Sequence, residues 1–257
     1  MTQLGLPEEI LACLFDLDGV VTKTAVVHAA AWKETFDAFL RERDGAGYRP
    51  FDAVADYDEY VDGRPRADGV RTFLASRGIE LPEGTPDDPP DAPTVNGVGN
   101  RKNELVLEKI RTDGVEAYDG TLRYIAAVRA AGLKTAIVSS SANTLDVLRS
   151  IDAEQLFDVR VDGVVARERG LPGKPRPDTF LAAARDLGVE PGRATVFEDA
   201  LAGMDAGRSG RFGYVVGVDR VGQQDALYAH GADVVVKDLA ELLTGTGPGP
   251  SRQGGAA

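Results

Sequence analysis

The stretch Phe15-Asp16-Leu17-Asp18-Gly19-Val20-Val21-Thr22 carries two carboxylates, with one residue between them, where an apolar run ends and a glycine follows. The residues before it, 10–15, form the short apolar segment typical of a strand buried on both faces of a parallel sheet. Asp16 and Asp18 are therefore expected on one side of the chain, at the carboxyl end of that strand, where open α/β sheets hold their ligands. Because two anions this close repel each other, the pair favours a metal site or an acid–base pair. A turn with two solvated aspartates is the alternative.

The composition limits the classes of protein and partner. A chain of 257 residues with 43% hydrophobic content can form one large or two smaller domains with a real core. A net charge of −12 argues against nucleic acid or an anionic membrane as the main partner. The single cysteine, Cys13, cannot form an intrachain disulfide, which fits a reducing compartment. We recognise neither a signal peptide nor a membrane span, so we expect a cytoplasmic protein.

Short apolar segments alternate with helical patterns from residue 133 onward. The pattern predicts strands at 135–138, 157–162, 194–197, 213–218 and 233–236, with helices at 144–150, 177–187 and 200–208. This alternation is typical of an α/β protein with a doubly wound, Rossmann-like parallel sheet, to which the first strand must also belong.

Between the first strand and this alternating region the chain is mostly helical in pattern. Only the stretch 81–100, rich in proline and aspartate, predicts an exposed flexible loop with no chemistry of its own. The sequence therefore predicts a helical cap domain inserted after the first strand. The expected boundaries are 1–26 and 119–243 for the core, 27–118 for the cap, and 244–257 for a disordered tail.

Three more polar clusters follow predicted strands or lie on a loop near them. Short hydroxyls occupy 139–141 where a helix begins, which suits a phosphate group, although an ordinary helix cap would look the same. Lys174 lies on a proline-flanked loop, and Glu198 and Asp199 end another strand. Each has an ordinary alternative, a solvated lysine or a pair of helix-capping acids. Together they indicate metal-assisted phosphoryl transfer, with oxygen ligands that suit Mg²⁺ better than zinc.

With these motifs, the chain resembles the haloacid dehalogenase superfamily and, within it, the β-phosphoglucomutase group, over about residues 11–243. The resemblance implies that Asp16 is the nucleophile, that Asp18 is the general acid and base, and that Ser139 and Lys174 bind the transferring phosphoryl group. It implies a Mg²⁺ site formed by Asp16, Asp18 through its carbonyl, Glu198 and Asp199.

The narrower likeness to the mutases rests on positions that would bind the sugar phosphate. These are His28, Trp32, Gly63, Arg66, Lys102, Ser140, Ser141 and Asn143. The resemblance implies that Gly63 and Arg66 belong to the cap loop that binds the distal phosphate. Two positions depart from the pattern, since Lys23 stands where the mutases commonly carry an acid and Ala142 where they carry a lysine.

The predicted function is that of a Mg²⁺-dependent phosphosugar mutase converting β-glucose 1-phosphate into glucose 6-phosphate through a bisphosphate intermediate. A sugar-phosphate phosphatase is the alternative within the superfamily, and a phospho-accepting receiver module is the alternative from another class. A receiver needs neither Asp18 nor a cap of this size. We expect a monomer acting on a small phosphorylated sugar, without nucleic acid or membrane as a partner.

Overall fold

A computed structural model describes residues 3–244 of the chain. Of the predicted tail, 244–257, only Thr244 is among them, and it ends a 3-10 helix over Leu239–Thr244; the rest of that prediction lies outside the described residues. Within the described part, no helix combines the length and the apolar character needed to cross a membrane.

The core is one sheet of six parallel strands in the order β3-β2-β1-β4-β5-β6. In chain order the strands are β1 (Ala12–Phe15), β2 (Lys134–Val138), β3 (Val159–Val161), β4 (Ala194–Glu198), β5 (Tyr214–Val218) and β6 (Val234–Val236). This order is that of the Rossmann-type doubly wound sheet, so the predicted fold class is confirmed. Strand β1 lies between β2 and β4, where the direction of winding reverses, and Asp16 directly follows it.

Helices cover both faces of the sheet. They are α4 (Asp119–Ala130), α5 (Thr144–Ser150), α6 (Gly163–Glu168), α7 (Asp178–Leu187), α8 (Leu201–Ser209) and α9 (Gln224–Ala229). Alternate residues of β1 point to opposite faces, so Phe15 packs with Tyr124 and Phe197 on one side, and Leu14 packs with Phe180 on the other. Strands β1 and β4 are buried completely, which explains why most of their residues are apolar.

The inserted segment has an apolar cluster of its own. Its main helices are α1 (Ala25–Asp44), a π-helix (Tyr57–Val61), α2 (Arg66–Ser76) and α3 (Val95–Asp113). Phe36 stacks on Trp32 and contacts Phe73 with ring centroids 4.1 Å apart, so aromatic packing holds α1 against α2. The cluster is separate from those of the sheet, but the residue boundaries given above for cap and core stay a prediction.

The chain leaves the core and returns to it through two paired linkers. The Lys23 N–H donates to the Glu116 carbonyl at 2.8 Å, and the Tyr118 N–H donates to the Val21 carbonyl at 2.9 Å. Thr22 and Ala117 form an antiparallel bridge between these bonds. The two connections to the inserted helices therefore run side by side.

The stretch predicted as a flexible loop differs from that expectation. Helix α3 begins at Val95, because the Thr94 side chain caps it by accepting from the Gly97 N–H, so 95–100 are helical. The remaining loop is tied down by Asn100, whose side chain donates to the carbonyls of Pro86 and Asp88. Helices α6 and α9 were not predicted, since six residues give too little periodicity to recognise.

Candidate active site

Asp16 lies at the centre of a buried ion cluster at the carboxyl end of the sheet. Lys174 Nζ lies 2.5 Å from an oxygen of Asp16 and 2.5 Å from an oxygen of Glu198. Burial alone would lower the pKa of Lys174, but the two carboxylates outweigh it and raise the pKa overall, so the ammonium stays charged. Lys174 therefore fixes the position of the Asp16 side chain.

The three carboxylates of this cluster suit a metal ion. Asp16, Glu198 and Asp199 each offer an oxygen, and these oxygens lie within 4.8 Å of one another. Burial, followed by repulsion from neighbouring acids, raises the pKa of Asp199. Burial also raises the pKa of Asp16, and the charge of Lys174 opposes this shift. One ammonium does not balance three carboxylates, so a hard divalent cation is the group that fits here.

Gly19 shows how closely this site is packed. Its φ is +96°, and a Cβ at this position would lie 1.7 Å from an oxygen of Asp199. Only glycine therefore lets the loop after β1 pass over the carboxylate cluster.

Asp18 belongs to a different set of contacts from Asp16. Its carboxylate accepts a hydrogen bond from Thr24, and one oxygen lies 3.4 Å from His28 Nε2. Lys102 Nζ lies 2.8 Å from the other ring nitrogen, His28 Nδ1. When Lys102 is protonated its ammonium only donates, so Nδ1 then accepts and Nε2 carries the proton that faces Asp18. Lys102 and His28 thus hold the Asp18 carboxylate outside the metal cluster.

Burial determines the charges of this chain of contacts. Burial and then the nearby Lys102 lower the pKa of His28 to about 4, so the ring is neutral at pH 7. Burial lowers the pKa of Lys102 to about 7. A neutral imidazole is the form that can accept from Lys102 while its Nε2–H faces the Asp18 carboxylate.

The loop after β2 provides the hydroxyls predicted to bind phosphate. Ser139 Oγ accepts from the Ser141 N–H at 3.0 Å and lies 3.5 Å from an oxygen of Asp18. Ser140 Oγ donates to the Gly63 carbonyl at 2.6 Å, and Asn143 donates to Asn103 at 3.0 Å. The last two bonds join this loop to the inserted helices.

Gly63 brings the insertion close to the loop after β4. Its φ is +68°, and a Cβ there would lie 2.9 Å from the Ala200 side chain. Arg66 follows on α2 and donates to Asn100 Oδ1 at 3.0 Å. Trp32 is buried, and Lys102 Nζ lies 4.9 Å from the centre of its indole ring.

A cavity of about 380 Å³ lies between the sheet and the inserted helices. Among the predicted site residues, those that line it are Asp16, Asp18, His28, Trp32, Gly63, Arg66, Lys102, Ser139, Ser140, Ser141, Asn143 and Asp199. Lys174 and Glu198 are buried and do not line it, and Lys174 joins Glu198 to Asp16 through its two ion pairs. The volume suits a small ligand.

Asp62 also lines the cavity, although no sequence pattern indicated it as a site residue. Its side chain is hydrogen-bonded by Tyr57, and burial followed by the charge of Glu198 raises its pKa to about 7. The signal in the sequence was an acid directly before Gly63. That signal was too weak to use, because nothing local shows that the loop carries Asp62 towards another acid.

We predict that Asp62 makes the stability of the metal-free protein depend on pH. Since its pKa is raised on folding, the folded state binds more protons than the unfolded state between about pH 4 and pH 7. The free energy of unfolding therefore falls as the pH rises through that window. Asp62→Asn removes this loss, and the gain over wild type should grow to about 1–3 kcal/mol at pH 8.

Chemical denaturation in EDTA at pH 4.5 and pH 8 measures this difference. Glu59→Gln, an exposed acid on the π-helix that directly precedes Asp62, is the control and should show no pH-dependent gain. A gain from Asp62→Asn that is the same at both pH values would contradict the prediction.

Comparison with known proteins identifies the family. The haloacid dehalogenase-like hydrolase family matches residues 10–211, which include β1 to β4 and all the site residues named above. The chain belongs to the haloacid dehalogenase-like hydrolase family, which confirms the resemblance noted in the sequence.

Two similar sequences and one similar structure are those of β-phosphoglucomutases. The chain is 57% identical to a β-phosphoglucomutase of Mycobacterium tuberculosis over 93% of this chain and 94% of that protein. It is 31% identical to the β-phosphoglucomutase of Bacillus subtilis over 90% of this chain and 91% of that protein. A crystal structure of β-phosphoglucomutase from Clostridium difficile superposes with a TM-score of 0.71 at 26% identity, covering 91% of this chain and 93% of that one.

Proposed function

We propose that this protein is a phosphosugar mutase that interconverts β-glucose 1-phosphate and glucose 6-phosphate through an aspartyl-phosphate and a sugar bisphosphate. The identity of 57% to a β-phosphoglucomutase along nearly the whole chain is the observation that carries the proposal. The cavity supports it, because side chains from the sheet side and from the inserted helices line the same space. We also propose a monomer as the working form.

In the proposed reaction Asp16 attacks phosphorus and becomes the aspartyl-phosphate. Lys174 orients its carboxylate from below and offsets negative charge as the phosphoryl group arrives. Ser139 and the N–H groups of its loop bind the phosphoryl oxygens from the side of β2. The proposed metal is Mg²⁺, held by Asp16, Glu198, Asp199 and the carbonyl of Asp18, and when bound it offsets the charge of the phosphoryl oxygens.

Asp18 moves the protons of the proposed reaction. It protonates the leaving oxygen as Asp16 is phosphorylated and takes the proton from the sugar hydroxyl that later attacks. The contact from His28 Nε2–H and the bond from Thr24 hold the carboxylate in place for both steps. Because His28 is neutral, its charge does not hold Asp18 in the ionised form, so Asp18 can gain and lose a proton.

A mutase must hold a sugar with two phosphates, one beside Asp16 and one at a distal site. Arg66 is the proposed cap ligand of the distal phosphate, since a guanidinium can donate two parallel hydrogen bonds to one phosphate. Its bond to Asn100, which also ties down the loop at Pro86 and Asp88, holds the side chain towards the cavity. The proline-rich stretch thus supports the site.

We predict that Arg66→Ala separates the two half-reactions. Loss of the distal ligand should weaken binding of the bisphosphate by about 2–5 kcal/mol and reduce isomerisation accordingly. Phosphorylation of Asp16 by acetyl phosphate should change little, because that donor needs only the sheet side of the cavity. The measurements are the rate of isomer formation and the rate of phosphoenzyme formation by mass spectrometry.

Arg71→Ala is the matched control, because Arg71 lies on the same helix, is exposed and does not line the cavity. Equal loss of both activities in Arg66→Ala would indicate damage at the sheet side. If neither activity changes, or if wild type releases inorganic phosphate without forming an isomer, the phosphatase alternative replaces the mutase.

A further inference from the structure

Three arginines without an acidic partner line the cavity. Arg64 and Arg66 come from the inserted helices and the loop before them, and Arg167 comes from α6 on the sheet side. Among residues 3–244, none of the three forms an ion pair with a carboxylate, and Arg66 bonds only to the neutral Asn100. The Nε of Arg64 is buried and has no hydrogen-bond partner within the same range. Buried donors are normally satisfied, so this group indicates a missing acceptor.

The position of Arg167 follows from how α6 is seated. Asp162 caps the helix by accepting from two backbone N–H groups, and the Gly163 N–H donates to the Ser141 carbonyl at 3.0 Å. A Cβ on Gly163 would lie 2.8 Å from the Ser140 carbonyl oxygen, so the helix start rests directly on the serine loop. Four residues later, Arg167 lies on the same side of the helix. It is exposed, and it lines the cavity that this loop also lines.

Arg66 and Arg167 line the same cavity, and their positive charges repel each other. Burial and then the charge of Arg167 lower the pKa of Arg66. The acids that line the cavity do not offset this pair. Asp68 is bound by Arg71. Asp16 and Asp199 belong to the metal cluster, and Asp18 contacts His28. Asp62 lies near Glu198 of that cluster, whose charge raises its pKa.

We propose that Arg167 is a substrate-binding residue that joins Arg66 and Arg64 around the second phosphate of the sugar bisphosphate. Two guanidiniums from opposite walls provide the geometry for a phosphate dianion, and the free Nε of Arg64 adds a donor. The serine loop beneath offers hydroxyls and N–H groups but no charge, since residue 142 is alanine. Arg167 supplies the cation on that wall.

This inference rests on the proposed function and adds a consequence to it. Without an anion, Arg66 and Arg167 repel each other, and with a phosphate between them both are attracted to it. The second phosphate therefore favours the arrangement in which the inserted helices lie against the sheet. A sugar with a single phosphate bound beside Asp16 lacks this contribution.

The test measures binding of glucose 1,6-bisphosphate by calorimetry to protein carrying Asp16→Asn, which holds the ligand without turnover. In this background Arg167→Gln should weaken binding by about tenfold or more, the usual size of a lost charged hydrogen-bonding partner. Arg167→Lys should recover part of the loss, because the charge is restored without the second donor. Arg169→Gln is the matched control, since Arg169 lies two residues further on, pairs with Asp186 and does not line the cavity.

Arg167→Gln that binds the bisphosphate as tightly as the Arg169→Gln control overturns the inference. Isomerisation by the otherwise wild-type chain is measured in parallel and tests the proposed function by itself. If the wild-type chain isomerises glucose 1-phosphate while the two arginine variants bind alike, only the role of Arg167 is wrong. If it only hydrolyses sugar phosphates, the mutase proposal fails, and bisphosphate binding still decides whether Arg167 holds a second phosphate.

Discussion

Asp16→Asn is expected to lower the rate of phosphoryl transfer by about 10⁴-fold or more while the protein stays folded. The amide cannot attack phosphorus, and Asp16 is the carboxylate that both contacts Lys174 and lines the cavity. Stability should not fall, because Lys174 keeps its contact with Glu198 and one of three mutually repelling buried acids becomes neutral. The measurements are the isomerisation rate and the mass gain of one phosphoryl group on incubation with acetyl phosphate.

Asp205→Asn makes the same chemical change at a half-buried position of α8 that does not line the cavity, and it serves as the control for folding and handling. A folded Asp16→Asn protein that turns over at a rate near that of wild type would exclude the aspartyl-phosphate mechanism. A phosphoryl group found on another residue of that variant would have the same meaning.

Asp18→Asn is expected to slow isomerisation by about 10²- to 10⁴-fold, the usual contribution of a general acid and base. Metal affinity should remain close to wild type, because the Asp18 side chain contacts Thr24, His28 and Ser139 instead of joining the carboxylate cluster. Phosphorylation of Asp16 by acetyl phosphate should suffer less than transfer to a sugar hydroxyl, since acetate leaves without a proton.

Titration of Mg²⁺ into the metal-free protein measures the affinity, with Asp199→Ala as the variant expected to lose it. If Asp18→Asn loses as much Mg²⁺ affinity as Asp199→Ala, the side chain of Asp18 is a metal ligand and its assigned role is wrong.

The sheet was predictable because its evidence is local. Each buried strand appears as a short apolar run, and each of Asp16, Ser139 and Glu198 lies at the end of such a run, so the topology of a parallel sheet brings them to one edge. The short helices α6 and α9 were missed because a single turn and a half shows no periodicity. Boundaries shifted where a side-chain cap such as Thr94 starts a helix earlier than its apolar pattern.

The wall formed by the inserted helices was less predictable. Asp62 and Arg167 acquire their surroundings only when α2, α6 and the loop before α2 come together, and their own neighbours in sequence carry no sign of that. Ser139 and Lys174 could be found from motif spacing, whereas the hydrogen bond from Lys102 to His28 joins positions 74 residues apart. Contacts of this kind depend on the docking of one part of the chain on another.

The paired linkers at Lys23 and Tyr118 have a consequence for how such a protein can change over time. Opposed residues in an antiparallel pair lie about 5 Å apart, a gap that a two-residue turn can close. Everything between the linkers could therefore be exchanged for a shorter or a different segment without reversing a strand or breaking the sheet. A lineage could keep the chemistry of Asp16 and renew the module that selects what reaches it.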